Sequence, residues 1–145
     1  GQSVLVKAIV EEFCPIFTPG AVPLYVGDTQ RKWAYFRPEL MGTIGIKLDG
    51  HGKMPDVVVY MEDRRWLVLV EAVTSHGPVN AKRLTELKDL FKTSDAGLIF
   101  VTAFSDRPTF QRFLHEIAWE TEVWIAETPT HLIHFNGERF LGPRG

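Results

Sequence analysis

The sequence predicts one α/β domain built on a mixed β-sheet with a central hairpin and flanking helices. Three observations predict this class. Two apolar runs rich in β-branched residues, 56–62 and 65–73, are separated by a short polar turn. A third apolar run, 97–104, is joined to the second by a helical pattern. The length of 145 residues and a hydrophobic content of 45% suit a single domain with a real core.

The residues before the hairpin predict a helix, a loop and a strand. Apolar residues one turn apart predict a helix that begins at a Ser3 cap and ends near Phe13. Three prolines within 14–23 predict a loop. Segment 22–26 is typical of a short strand. The aromatic residues that follow suggest another strand, and 37–46 a short helical turn.

The central hairpin predicts a specific register. If Asp63 and Arg64 form a two-residue turn, the numbers of paired residues sum to 127. Asp56 then lies opposite Glu71 on one face of the sheet, with the two side chains roughly 5 Å apart. Both faces of the hairpin are apolar, which indicates strands covered on both sides.

The second half of the chain predicts a crossover unit and a terminal strand pair. A helix ending near Lys92 precedes the strand 97–104, so this strand is expected to lie parallel to the second hairpin strand. Asp106 caps the next predicted helix. Two short strands are predicted at 122–127 and 131–135.

Composition excludes several classes of protein. The net charge of −2 gives no global field that would attract nucleic acid or an anionic membrane, so any polyanion site must be local. Cys14 is the single cysteine, which excludes an internal disulfide and a thiolate-rich zinc site. No apolar run reaches the roughly 18 residues that span a bilayer. The N-terminal residues do not resemble a signal peptide, so we expect a reducing, cytoplasmic setting.

The two acids that end the hairpin strands form a candidate metal site. Two unpaired carboxylates about 5 Å apart in apolar surroundings repel each other, and a divalent cation removes that penalty. Oxygen ligands of this kind suit magnesium, manganese or calcium, and the backbone carbonyl of Ala72 could supply a third oxygen. Such a metal would favour phosphodiester hydrolysis. In the structural alternative Asp56 caps a strand, and Glu71 pairs with Arg65 or Lys53.

Five sequence segments resemble the C-terminal region of the BsuBI/PstI restriction endonuclease family. The segments are HGKMPDVV, EAVTSHGPV, GLIFVTAF, AWETEVWIAE and HFNGERFLGP, and the resemblance covers about residues 27–143. It implies a restriction-endonuclease-like fold of the PD-(D/E)xK type, with 1–145 as one catalytic domain. It also implies magnesium-dependent type II cleavage of double-stranded DNA. The namesake enzymes act at CTGCAG.

The resemblance carries further expectations about partners. A palindromic site mirrors two-fold symmetry in the protein, so a homodimer is expected. Family members have an additional N-terminal region, which we expect to be missing from the present chain. The implied setting is the cytoplasm of a bacterium or archaeon, within a restriction-modification system.

Residue by residue, Pro55-Asp56 matches the Pro-Asp element and Glu71 matches the acid of Glu-x-Lys. The lysine does not match, because Val73 stands two residues after Glu71. Two lysines could replace it as the cation near the attacking water. Lys53 precedes Asp56 on the same strand, and Lys82 lies in the first turn of the next helix. We favour Lys53, because the helical wheel directs Lys82 away from the sheet.

Other polar residues are weaker candidates. Glu12, at the border of the first helix, is either a third acid for a second metal or a surface residue. Thr74, Ser75 and His76 follow Glu71 at the end of the sheet, where loops reach substrate, and are candidate substrate-binding residues. For Asp28, we favour a role in a turn over a role in the site.

Two hypotheses of different class follow. The first is a magnesium-dependent DNA endonuclease domain, with Asp56 and Glu71 as metal ligands and Lys53 as the activating cation. The second is a DNA-binding or assembly module that keeps the nuclease fold without cutting DNA. The missing lysine at Val73 supports the second hypothesis, and a cleavage assay with magnesium separates the two.

Overall fold

A computed structural model describes residues 1–27, 35–47, 52–74, 77–140 and 143. In this part of the chain seven strands form one mixed sheet in the order β2-β1-β3-β4-β5-β6-β7. The strands are β1 (Val22–Val26), β2 (Tyr35–Phe36), β3 (Val57–Met61), β4 (Trp66–Ala72), β5 (Gly97–Phe104), β6 (Glu122–Ile125) and β7 (Leu132–His134). The α-helices are α1 (Gln2–Ala8), α2 (Cys14–Phe17), α3 (Pro38–Thr43), α4 (Ala81–Leu90) and α5 (Arg107–Phe113).

The central hairpin is formed by β3 and β4, and the structure confirms its predicted register. The pairs run from Val57 opposite Val70 to Met61 opposite Trp66, and each pair sums to 127. The predicted two-residue turn was wrong, because the loop takes four residues, 62–65. Arg65 adopts a positive φ of 57°, and two overlapping turns close the loop. The register survives because one residue is added to the loop from each strand.

The first helical run is longer than the sequence predicts. Gly1, not Ser3, is the N-cap of α1, and no side chain caps it. A π-helical turn over Ile9–Phe13 connects α1 to α2, so the predicted loop at 14–23 begins four residues late. A proline ring normally clashes with the carbonyl one turn back in an α-helix. The wider π turn just before Pro15 accommodates the ring and lets the helix continue.

The predicted crossover, which makes β5 parallel to β4, is confirmed. Strand β5 pairs parallel with β4 and with β6, and β6 pairs antiparallel with β7. The Asn80 side chain caps α4, and Asp106 caps α5 as predicted. Helix α4 ends at Leu90 rather than Lys92, and β6 and β7 are one or two residues shorter than predicted at their ends. No helix in the described ranges is long and apolar enough to cross a bilayer.

Alternating hairpin residues bury two cores on opposite faces of the sheet. One face, with Val57, Val59, Val68 and Val70, packs against α1 and Trp124. The other, with Val58, Leu67 and Leu69, packs against Leu87 and Phe91 from and just after α4. Trp119 and Trp124 lie close together in the sequence, and both are predicted to belong to the core. Trp124 is buried, but Trp119 is 70% exposed: it follows the last helical turn, and its ring lies beside that of Phe135.

A third core cluster lies at the end of β4 beyond Glu71. It contains Val73, Phe104, Val123 and Ile125, and aromatic residues of α5 pack against it. The two main cores hold the hairpin from both sides. The third covers the end of β4 beyond Glu71. The side of Glu71 that faces α4 lines a groove.

Candidate active site

Asp56 is held at the start of β3 by hydrogen bonds to both of its carboxylate oxygens. The backbone N–H of Ala72 donates to Oδ2 at 2.7 Å, and Nε2 of Gln2 donates to Oδ1 at 2.7 Å. The carbonyl of Asp56 accepts from the N–H of Gly27, which fixes this residue to the end of β1. Asp56 therefore does cap the hairpin, as the structural alternative expects. Its oxygens still have lone pairs for a further ligand.

Glu71 lies across the hairpin from Asp56 and is paired with an arginine. Oε1 of Glu71 is 2.7 Å from Nη2 of Arg83, and both side chains are only 13% exposed. Arg65 and Lys53 are the partners that the structural alternative predicts. The arginine that the structure shows instead comes from the first turn of α4.

Glu71 is close enough to Asp56 to affect the pKa of the Asp56 carboxyl. Burial raises the pKa of Asp56 above its usual range, and the negative charge of Glu71 raises it further. The hydrogen bonds from Ala72 and Gln2 and the charge of Lys53 lower the same pKa, but burial is the largest cause. Added positive charge would stabilise the ionised form of a carboxyl whose pKa is raised beside a second carboxylate.

The position where the Glu-x-Lys pattern has its lysine is closed to solvent. Val73 is 1% exposed and belongs to the cluster at the end of β4. Lys53 and Lys82 are both exposed, and both line a groove of about 270 Å³ that also holds Glu71 and Arg83. Lys82 thus reaches the same groove as Glu71, although the helical wheel directs it away from the sheet.

The remaining candidates divide into those near this groove and those away from it. Thr74 is half-buried directly beyond β4, whereas Ser75, His76 and Asp28 lie outside the described residues. Glu12 is exposed, and it lies ten residues along the helical run from Gln2, which contacts Asp56. Ten residues of helix span about 15 Å. The structure therefore does not bring Glu12 to the carboxylate pair.

Comparison with known proteins decides the family. The model of the BsuBI/PstI restriction endonuclease domain matches residues 1–138. The chain belongs to this family. A solved structure, that of the SdaI restriction endonuclease, superimposes with a TM-score of 0.90 at 50% identity, over 99% of this chain and 45% of that one. The BsuBI/PstI domain therefore has the restriction-endonuclease fold here.

Two sequence relatives are type II restriction enzymes. The BsuBI enzyme of Bacillus subtilis is 56% identical over 142 residues, and the AplI enzyme of Arthrospira platensis is 38% identical over 148 residues. The matches cover 98% and 97% of this chain but 45% of each relative. The chain spans about half the length of the relatives that it matches.

The chemistry of the donor set in this BsuBI/PstI domain fits a hard divalent cation. Asp56 and Glu71 supply two carboxylates, and no group of three or more His, Cys, Asp or Glu that could hold a metal occurs in the described ranges. Magnesium is commonly bound by one or two carboxylates and keeps several waters, so two acids are enough. The carbonyl of Ala72 stays a predicted third oxygen, since the shown contact of Ala72 is through its N–H.

Two residues of the site were missed at the level of sequence. Gln2 contacts Asp56 across 54 positions, and no local pattern points to that contact. Arg83 could have been found, because it precedes Leu87 by four residues and Leu87 is fully buried. Residues four apart lie on one face of a helix, so Arg83 faces the sheet.

Proposed function

We propose that this chain is the catalytic domain of a magnesium-dependent type II restriction endonuclease that hydrolyses double-stranded DNA. The observation that carries the proposal is the carboxylate pair at the end of the central hairpin. Asp56 directly precedes β3 and Glu71 lies near the end of β4, close enough that the charge of Glu71 raises the pKa of Asp56. Family membership supports the reaction, since the named relatives are type II restriction enzymes.

In this proposal Asp56 and Glu71 hold the cation, with the carbonyl of Ala72 as a further oxygen donor. A bound divalent cation supplies charge that polarises the phosphoryl oxygens and favours deprotonation of the attacking water. Gln2 and the N–H of Ala72 keep the Asp56 carboxylate in one orientation. Lys53 supplies positive charge beside Asp56, which favours the ionised carboxylate.

The surface around the pair supports a polyanionic substrate. Two adjoining grooves share Lys53, Arg83 and Glu86, and the described residues that line them include five cations and three acids. The cations are Lys47, Lys53, Lys82, Arg83 and Lys92, and the acids are Glu71, Glu86 and Asp89. Because the chain as a whole carries a charge of −2, this is a local concentration of positive charge. Cationic side chains of this kind contact the phosphates of DNA.

The experiment is a cleavage assay on plasmid DNA that contains CTGCAG, with magnesium or with chelator. Since the chain spans 45% of its relatives, it is tested both alone and in place of the matching region of the Bacillus subtilis enzyme. Asp56→Asn and Glu71→Gln are expected to lower cleavage by at least about 100-fold, since each removes a ligand charge. Asp63→Asn is the matched control, because Asp63 lies in the loop at the other end of the hairpin, about 17 Å away along β3.

The outcomes separate the two hypotheses. If both variants cut as well as the parent, the carboxylates are not catalytic. If the parent does not cut in either form, although the relative's own region does, the non-cleaving DNA-binding or assembly module is the better description. Substrates that lack CTGCAG test the site, and sedimentation with a palindromic duplex tests the proposed homodimer.

A further inference from the structure

Arg83 is placed at the site by the start of α4. The side chain of Asn80 accepts a hydrogen bond from the N–H of Arg83 at 2.8 Å, which fixes the first turn. Leu87, one turn later, is fully buried against the sheet, so Arg83 points toward Glu71 rather than into solvent.

The guanidinium of Arg83 lies between an acid and a backbone carbonyl. Its Nη2 donates to Glu71 Oε1 at 2.7 Å and to the carbonyl of Lys53 at 2.9 Å. Its Nη1 is 3.6 Å from Glu86, which is an ion-pair distance beyond normal hydrogen-bond range. Arginine has five N–H donors, so the Nη1 and Nε sides of the fork have capacity for another acceptor.

We propose that Arg83 is the phosphate-contacting cation of this site, and that it exchanges Glu71 for a DNA phosphate when a divalent cation is bound. This inference rests on the proposed function. In the structure Arg83 forms an ion pair with the half-buried Glu71. If Glu71 held a divalent cation, its charge would be shared with that cation and the guanidinium of Arg83 would be repelled, and a phosphate would offer the planar fork two acceptor oxygens.

The chemistry of arginine restricts the role. A guanidinium stays protonated at any working pH, so Arg83 cannot accept the proton of the attacking water. Its contribution is to stabilise negative charge that develops on the phosphate, which is the larger part of many hydrolytic rate enhancements. The inference also accounts for Val73, because the positive charge comes from α4 instead of from β4.

The test combines metal binding with cleavage in Arg83→Gln and Arg83→Lys. Mn²⁺ alone is titrated into each protein by calorimetry, and cleavage is measured in the form grafted into the Bacillus subtilis enzyme. Arg83→Gln is expected to bind Mn²⁺ at least about tenfold more tightly, because a competing positive charge is removed from the cation site. Its cleavage is expected to fall about 100-fold or more. Lys88→Gln, which removes an exposed charge from the same helix, should change neither quantity.

A purely structural role for Arg83 gives the opposite pattern. If Arg83 only holds Glu71 in place, Arg83→Gln will bind Mn²⁺ more weakly, and excess metal will restore cleavage. That result overturns the inference, as does unchanged cleavage. If Arg83→Gln does not fold, Arg83→Lys carries the test, with Mn²⁺ affinity within about threefold of the parent and reduced cleavage, since lysine keeps the charge but lacks the fork.

Failure of this inference is distinguishable from failure of the proposed function. If the parent binds Mn²⁺ and cuts, and Asp56→Asn loses both, the metal site stands whatever Arg83 does. In that case an Arg83→Gln protein that behaves like Lys88→Gln refutes the role of Arg83 alone. A parent that neither binds Mn²⁺ nor cuts refutes both.

Discussion

Replacing Val73 with lysine restores the Glu-x-Lys spacing, and we expect it to damage the protein instead of improving the site. Val73 is 1% exposed and packs with Phe104, Val123 and Ile125. Full burial of a valine side chain contributes about 1.5 kcal/mol or more, and forcing a longer chain into a packed core costs about 1–3 kcal/mol. An ammonium without a partner adds a further penalty. Together these effects lower the free energy of unfolding by about 3–5 kcal/mol.

The assay is urea unfolding followed by tryptophan fluorescence, to which the buried Trp124 contributes, with cleavage measured in parallel. A loss of this size is a large part of the roughly 5–15 kcal/mol that stabilises a domain. Val4→Lys is the matched control, because Val4 is 71% exposed and its replacement should change stability by no more than about 0.5 kcal/mol. Val73→Leu separates the effect of added volume from the effect of charge.

One result would refute this reasoning. If Val73→Lys unfolds within about 1 kcal/mol of the parent and cuts DNA faster, the end of β4 is open to a catalytic lysine. The third core cluster would then not exclude a charged side chain at position 73, and the positive charge of the site would not have to come from Arg83 in α4.

Three further predictions follow from the described contacts. Burial raises the pKa of Asp56 in the folded chain, so the folded state holds this proton more tightly than the unfolded state does. The free energy of unfolding of the parent relative to Asp56→Asn should therefore fall as pH rises from the ordinary carboxyl pKa through the raised one, as measured by urea titrations. Hydrogen bonds from Thr109 lower the pKa of Asp106. The free energy of unfolding of the parent relative to Asp106→Asn should therefore rise with pH through the lowered pKa up to the ordinary one. Asn80→Ala should destabilise the chain by about 1 kcal/mol in the same unfolding assay, through loss of the α4 cap. Lys53→Ala should lower cleavage more than Lys82→Ala, because the charge of Lys53 acts on Asp56.

The Asp56→Asn comparison depends on a substitution that the site can accommodate. Asparagine keeps one oxygen, which can accept from the fixed N–H of Ala72. Its amide nitrogen then faces Gln2, whose side-chain amide can rotate by 180° and present an oxygen. A uniform loss of stability at all pH values, with no difference in slope, would show that this rearrangement fails and that the charge is not the dominant effect.

The hairpin was predictable because its geometry is local. Two apolar runs joined by a few residues have few possible registers, and the period of two along a strand then places Asp56 opposite Glu71. The turn itself was less predictable, because the residue with a positive φ is Arg65 and not a glycine, the residue type that usually indicates such a turn. The same pairing sum arises from a two-residue and a four-residue loop, so the predicted register was correct although the turn was wrong.

The contacts that complete the site come from distant segments. Gln2 reaches Asp56 because the first helix packs across one face of the hairpin. Arg83 was not predicted as a site residue, although its helical position relative to Leu87 indicates a residue that faces the sheet.

The positively charged side chain beside Glu71 comes from α4 and not from β4, because the end of β4 is buried and the first turn of α4 is not. Beyond Glu71, β4 enters the aromatic cluster beneath α5, so a charged residue at Val73 would be buried without a partner. The opposite side of Glu71 faces the first turn of α4, where Arg83 approaches from the open groove. A helix N-terminus also favours negative charge nearby, whether carboxylate or phosphate. The domain therefore combines two acids from the hairpin with a cation from the helix, and the placement of Arg83 depends on the Asn80 cap as much as on the sheet.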